Sequence, residues 1–192
     1  MSAQTLPSKK SWRLNEIVIL VVLSVVLGAL WWVWTFIDGL MEPVKPLGLG
    51  YLIAGFWLSG GTIIPFLIRK PGAAFLGEVI AAGIEGLITQ WGITALLWGA
   101  VQGVGAELVF LLFRYQNYSF WVIVLAGIVS ALFSWVLDFV YSQYWTLAPW
   151  IWFVQIGSFV VSAFLLAGLL AWGLGRALIK SGAVRSLLPN EK

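Results

Sequence analysis

Four carboxylates stand inside long apolar stretches of this 192-residue chain: Glu78, Glu85, Glu107 and Asp138. An ionisable side chain at the centre of a membrane helix costs roughly 2.5–3.5 kcal/mol on insertion scales, so each is a functional candidate unless a partner explains it. Glu78 and Glu85 are seven residues apart, close to two turns, and share one face of a helix. Counted inward at 1.5 Å per residue, Glu85 lies near the outer end of its helix, where Tyr51, Gln90, Trp98, Gln102, Asp138, Tyr141 and Gln155 occupy the same half. Carboxylates, amides and aromatic rings together suit a flat, nitrogen-containing cation, the carboxylates balancing charge or accepting from an amino group while rings stack on it. The plainer readings are an interface position for Asp138 and Tyr141, and helix-to-helix hydrogen bonding for Gln102. Glu78 and Glu107 both fall about 10 Å from the cytoplasmic side. There they could share a proton, pair by a hydrogen bond, reach toward Arg69 or Arg114, or serve packing alone.

Other chemistry is excluded by absence. The chain has no cysteine and no histidine, which removes disulfides, Cys/His metal sites, thiol nucleophiles and Ser-His-Asp triads. A Glu78–Glu107 acid pair would lack a companion to activate a substrate, so no catalytic residue, metal or cofactor is expected. No phosphate-binding loop of the G-x-x-x-x-G-K-[ST] type occurs, and any ATP-driven step belongs to another protein. A net charge of +3 gives no argument for nucleic acid.

The elements that position these residues are membrane helices. Hydrophobic residues make up 61% of the chain and charged ones 10%, too few to cover a water-soluble fold, so the lipid bilayer is part of the solvent. Six apolar runs, at about 16–37, 47–68, 71–89, 92–113, 120–141 and 150–179, predict a single all-α membrane domain of six transmembrane helices over 1–192. Lys9, Lys10, Arg13, Arg69, Lys70, Arg114, Arg176, Lys180, Arg185 and Lys192 fall in alternate loops and at the termini, whereas the opposite loops hold Lys45 beside Asp38 and Glu42. Because basic loops stay cytoplasmic, both termini are expected inside. Of the 13 tryptophans, most sit at expected boundaries, Trp31 among them, while Trp57, Trp98 and Trp135 lie deeper and need another reason. The loop from Asp38 to Pro46 could fold back as a lid. Small-residue stripes on the third helix (Ala73, Gly77, Ala81; Ala74, Ala82, Gly86) suit close packing with the bundle or with a partner, and Ser24 and Gly28 on the first suit lipid or a partner. Residues 1–8 and 186–192 read as disordered tails. No internal repeat and no helix interrupted at mid-membrane is evident, which argues against a standalone channel or antiporter.

Three segments carry a resemblance: Gly48-Leu-Gly-Tyr-Leu-Ile-Ala-Gly-Phe-Trp, Ile68-Arg-Lys-Pro-Gly-Ala-Ala-Phe-Leu-Gly-Glu78 and Gln102-Gly-Val-Gly-Ala-Glu107-Leu-Val-Phe. The chain resembles the YkoE family, substrate-binding S components of energy-coupling-factor (ECF) transporters. The resemblance implies a protein of the prokaryotic plasma membrane that captures thiamine or its hydroxymethylpyrimidine precursor on the outer side. Uptake would be driven by a membrane coupling (T) subunit and cytoplasmic ABC ATPases, the S component doing no catalysis. It also strengthens the case for Glu78, Gln102 and Glu107. The expected substrate-binding set is Glu85, Gln102, Trp98, Tyr51, Glu78, Glu107, Asp138 and Gln155. The alternative is a non-transporting membrane scaffold or assembly protein whose carboxylates only pair internally.

Overall fold

The structure, a computed structural model, describes residues 12–182 and Val184. Lys9, Lys10, Arg185, Lys192 and the two expected tails lie outside the described residues. The fold is all-helical. Helix α1 (Leu14–Leu40) buries one stripe, Leu20, Ser24, Leu27, Gly28 and Trp31, flanked by half-buried Ile19 and Leu23, and exposes most of its other Val, Ile and Leu side chains. That surface is unsuited to water and well solvated by acyl chains. Among the described residues, four helical stretches are long and apolar enough to cross a membrane: α1, α4 (Thr94–Leu112), α5 (Phe120–Tyr141) and a rod running Pro149–Lys180. The rod joins α6 (Pro149–Ser162) to α7 (Ala171–Lys180) through a wider π-helical stretch, Ala163–Leu170.

The run expected as one helix over 47–68 is broken. After a 3-10 turn at Glu42–Leu47 that leads into it, the run forms further short 3-10 turns at Leu49–Leu52 and Ala54–Leu58 before helix α2 begins at Gly60 and ends at Ile68. The expectation of uninterrupted helices is therefore corrected. Hydropathy registers burial and not helix type, and the segment's glycines admit another backbone. Gly48 adopts a left-handed φ of 82°, and Gly55 packs against the backbone of Ser162 and Ala163 so closely that no Cβ would fit. The Gly55 N–H donates to Ser162 Oγ at 2.8 Å, returning a hydrogen bond the broken helix lacks.

Helix α3 (Ala73–Ile88) sits at the centre, packed by α1, α2 and α4. Ala73, Ala74, Ala81 and Ala82 are buried, Gly77 meets Ile64 of α2, and Gly86 meets the turn at Gly92. Gly28 of α1 lies on α3, where an added Cβ would stand 2.5 Å from the Ala81 carbonyl. The small-residue stripes thus serve the bundle's own packing, and Ser24 and Gly28 face neither lipid nor a partner. One end of the bundle is tied by Lys70 to Glu16 at 3.3 Å, with the Arg69 guanidinium over the Phe66 and Tyr118 rings. At the other end Lys45 Nζ donates to Asp38 and Glu42, each at 2.7 Å. Burial lowers the Lys45 ammonium, but the bonds and charges of Asp38 and Glu42 outweigh it and its pKa lies above the usual lysine value. The lysine's contribution to this clasp is fully present below that usual value and is lost as pH rises past the raised one.

Candidate functional site

A cavity of about 370 Å³ opens among α1, α3, α4, α5 and the broken segment, at the end that carries the Lys45 clasp. Its size is that of a small-molecule site. Five of the eight expected residues line it: Tyr51, Glu85, Trp98, Gln102 and Asp138.

Each is held by a specific contact. Asp138, near the end of α5, accepts from Trp98 Nε1 at Oδ1 (2.7 Å) and from Tyr51 Oη at Oδ2 (2.8 Å). Tyr51 in turn lies 3.1 Å from Tyr144 Oη and stacks on Phe159 with centroids 4.8 Å apart. Glu85, on α3 and 4% exposed, accepts from Trp57 Nε1 at Oε1 (2.7 Å), and among the described residues nothing else donates to it. Gln102 on α4 donates to Ser134 Oγ of α5 at 3.0 Å, so its amide joins two helices while also lining the cavity. Hydrogen bonds to charged groups contribute about 1.5–3 kcal/mol each, enough to fix these side chains.

The other three lie elsewhere. Gln155 on α6 faces a smaller neighbouring cavity of about 210 Å³ with Lys45, and the two cavities share Asp38, Tyr51, Ala54 and Tyr144. Its Oε1 accepts from Trp135 Nε1 at 3.2 Å. Glu107 is at the far end of α4, where it accepts from the backbone N–H of Gly72 (2.5 Å), Ala74 (3.0 Å) and Phe75 (3.1 Å). A carboxylate there satisfies the free donors of the α3 N-terminus and complements its dipole. Glu78, completely buried, accepts from the Gly61 N–H through Oε2. Glu78 and Glu107 therefore address different backbone donors and do not bond to each other, although they share similar depth.

The three deep tryptophans now have their reason, since each indole N–H meets a polar side-chain acceptor inside the bundle: Trp57 on Glu85, Trp98 on Asp138, Trp135 on Gln155. Trp31 departs from its expected interface position. It is 1% exposed, lines the cavity and donates to Ser59 Oγ at 3.0 Å. Its place in the Trp-Trp-Val-Trp run hid that role, because four consecutive residues cover every face of a helix, and here Trp31 and Trp34 face the bundle while Trp32 and Val33 are exposed. Trp57 and Asp38 also line the cavity and were absent from the expected set. Depth in an apolar run was the available signal for Trp57. Among the described residues no three acidic side chains converge as a metal site would need.

The comparisons with known proteins bear on the family and the fold. Residues 15–133 match the family described as "ABC-type cobalt transport system, permease component". The chain is 35% identical over 185 residues to the "Putative HMP/thiamine permease protein YkoE" of Bacillus subtilis (strain 168), covering 93% of this chain and 90% of the relative. A solved structure titled "Crystal structure of an S-component of ECF transporter" superposes with a TM-score of 0.87 at 34% identity, over 92% of this chain and 90% of that one. Fold and cavity thus define the class: a multi-pass plasma-membrane S component of the ECF type, which is a transport protein and not an enzyme. Within that class, the chain belongs to the YkoE family.

Proposed function

We propose that the larger cavity captures thiamine from the outer side of the membrane for uptake driven by a coupling subunit and ABC ATPases. The observation that carries this reading is the pairing of two carboxylates, Glu85 buried and Asp138 half-buried, differently committed, in one aromatic-walled cavity. Asp138 has a donor on each oxygen, which suits a fixed counter-charge for a thiazolium cation. Glu85 has one oxygen held by Trp57 and the other without a hydrogen bond, which suits acceptance from the amino group of an aminopyrimidine. Trp31, Trp57, Trp98 and Tyr51 offer faces for stacking and cation–π contact. A second carboxylate favours the cationic vitamin over its neutral pyrimidine fragment. The printed name of the B. subtilis relative, an HMP/thiamine permease, points to the same ligand class.

Among the described residues no lysine or arginine lines this cavity, and Lys45 in the neighbouring one is engaged by Asp38 and Glu42. A phosphate group would meet carboxylates without a free cation, so thiamine monophosphate is expected to bind more weakly than thiamine. The basic residues clustered at the opposite end of the bundle support the outer placement. The test is titration of detergent-purified protein with thiamine, followed by tryptophan fluorescence, with hydroxymethylpyrimidine and thiamine monophosphate as competitors. Saturable quenching strongest for thiamine supports capture, and no response to any of the three supports a scaffold instead. Glu85→Gln is expected to weaken thiamine by at least about tenfold, or about 1.4 kcal/mol, in protein that remains folded. Unchanged affinity would remove Glu85 from the site.

A further inference from the structure

Glu78 lies outside the cavity, fully buried, and its Oε1 has no hydrogen-bond partner. Its other oxygen reaches the one place where the second apolar segment changes from 3-10 turns to α-helix. Gly61, which donates to it, is the second residue of α2, and Ser59, just before the helix, accepts from Trp31 of α1. Both glycines at the junction are closed around the carboxylate: a Cβ on Gly60 would stand 2.7 Å from Glu78 Oε2, and one on Gly61 3.2 Å from it. Two turns further along the same face of α3, Glu85 takes the indole of Trp57, which lies four residues before Gly61. One face of α3 therefore grips the segment on both sides of its break, with Glu78 on the α2 side and Glu85 on the cavity side.

We propose that Glu78 is a positioning residue for the ligand site: by pinning the break at Gly61 it sets the register in which Trp57 reaches Glu85. The alternative, a purely packing role, explains neither a carboxylate where an apolar side chain would serve nor two glycines opened to its oxygen. Unpaired buried polar atoms are costly, and one is retained here at a junction from which Tyr51, Ala54 and Trp57 are all delivered to the cavity. In this arrangement Trp57 fixes which oxygen of Glu85 remains open to a ligand. The inference rests on the capture reading for its consequence on binding, but the Trp57–Glu85 geometry can be tested without any ligand.

The experiment uses the full chain labelled with 5-fluorotryptophan and read by fluorine NMR, the Trp57 resonance among 13 tryptophans being assigned by its loss in Trp57→Phe. Glu78→Met, which keeps the volume and removes the acceptor, is expected to move the Trp57 resonance in ligand-free protein and to weaken thiamine binding by about tenfold or more. Glu78→Gln, whose amide oxygen still accepts from Gly61, is expected to restore the resonance and bring affinity within about threefold of the parent. In a Trp57→Phe background, Glu78→Met should cost less than about threefold further, since coupled residues are not additive. An unmoved Trp57 resonance in folded Glu78→Met, or penalties that add in full, overturns the proposal. If Glu78→Met does not fold, Gly61→Ala decides, because its Cβ would press on Ala106 at 3.0 Å and on Glu78: a shifted Trp57 resonance supports the proposal and an unshifted one overturns it. If the parent protein binds no thiamine, the ligand reading fails while the resonance still judges the positioning role.

Discussion

A carboxylate in a low-dielectric interior must find donors, and this chain supplies them mainly from indoles and backbone N–H groups. The supply differs from site to site, and on the capture reading proposed above that difference separates the proposed ligand contacts from structural ones. Asp138 is wrapped by Trp98 and Tyr51, so Asp138→Asn turns one acceptor into an NH2 that faces a donor. That substitution is expected to weaken thiamine by about tenfold or more, with the loss read by titration, and an unchanged Kd would exclude Asp138 as the counter-charge. Glu107 has the opposite profile, since its partners are the first N–H groups of α3. Glu107→Ala is expected to cost about 0.5–2 kcal/mol of stability, seen as a lower thermal midpoint in detergent, with the thiamine affinity of the folded fraction unchanged. A large loss of affinity at an unchanged midpoint would return Glu107 to the binding set. All four intramembrane carboxylates were legible in the sequence because polar cost marks them. Their division of labour was not, because depth along a helix does not say which donor is within reach, and Glu78 and Glu107 at similar depth bond to different strands of backbone.

At the scale of elements, α3 organises the molecule. Its alanines and glycines let α1, α2 and α4 approach its backbone, and the same helix carries both Glu78 and Glu85 toward the broken segment. Gly28→Val tests this packing, since its Cβ would stand 2.5 Å from the Ala81 carbonyl and 2.8 Å from Ile84 Cβ. Overpacking of this kind costs about 1–3 kcal/mol, and the thermal midpoint should fall accordingly. A midpoint equal to the parent's would show that α1 can slide outward freely, as a helix packed on lipid would. The long helices were legible from length and apolarity, and α5 falls at 120–141 as the hydropathy pattern places it. The 47–68 segment was not, because 3-10 turns, an α-helix and a membrane span share one apolar composition. Its glycines signalled the break only through contacts made 107 residues away, as between Gly55 and Ser162. The broken segment is also where the site was least legible: Trp57 reaches Glu85 because the chain turns there.

For the whole molecule, direction across the membrane decides what the cavity can do, since a capture site must face the supply of ligand. The bundle ends differ in chemistry. Arg69, Lys70 and Arg114 stand at the end where Glu107 caps α3, while the cavity opens at the end that holds Asp38, Glu42 and the Lys45 they neutralise. Positive loops resist translocation, so the first end is expected in the cytoplasm and the cavity outside. The chain contains no cysteine, which makes each introduced thiol the sole reporter of its own side. Gln116 and Thr146 are both exposed, one in the loop between α4 and α5 and the other in the loop between α5 and α6. In intact cells a membrane-impermeant maleimide is expected to label Thr146→Cys readily and to label Gln116→Cys only after permeabilisation. The reverse pattern would place the cavity in the cytoplasm, where it could not collect an external vitamin whatever its affinity. Because α5 alone separates the two positions, the pair reports its direction of crossing and, through it, the side from which ligand enters.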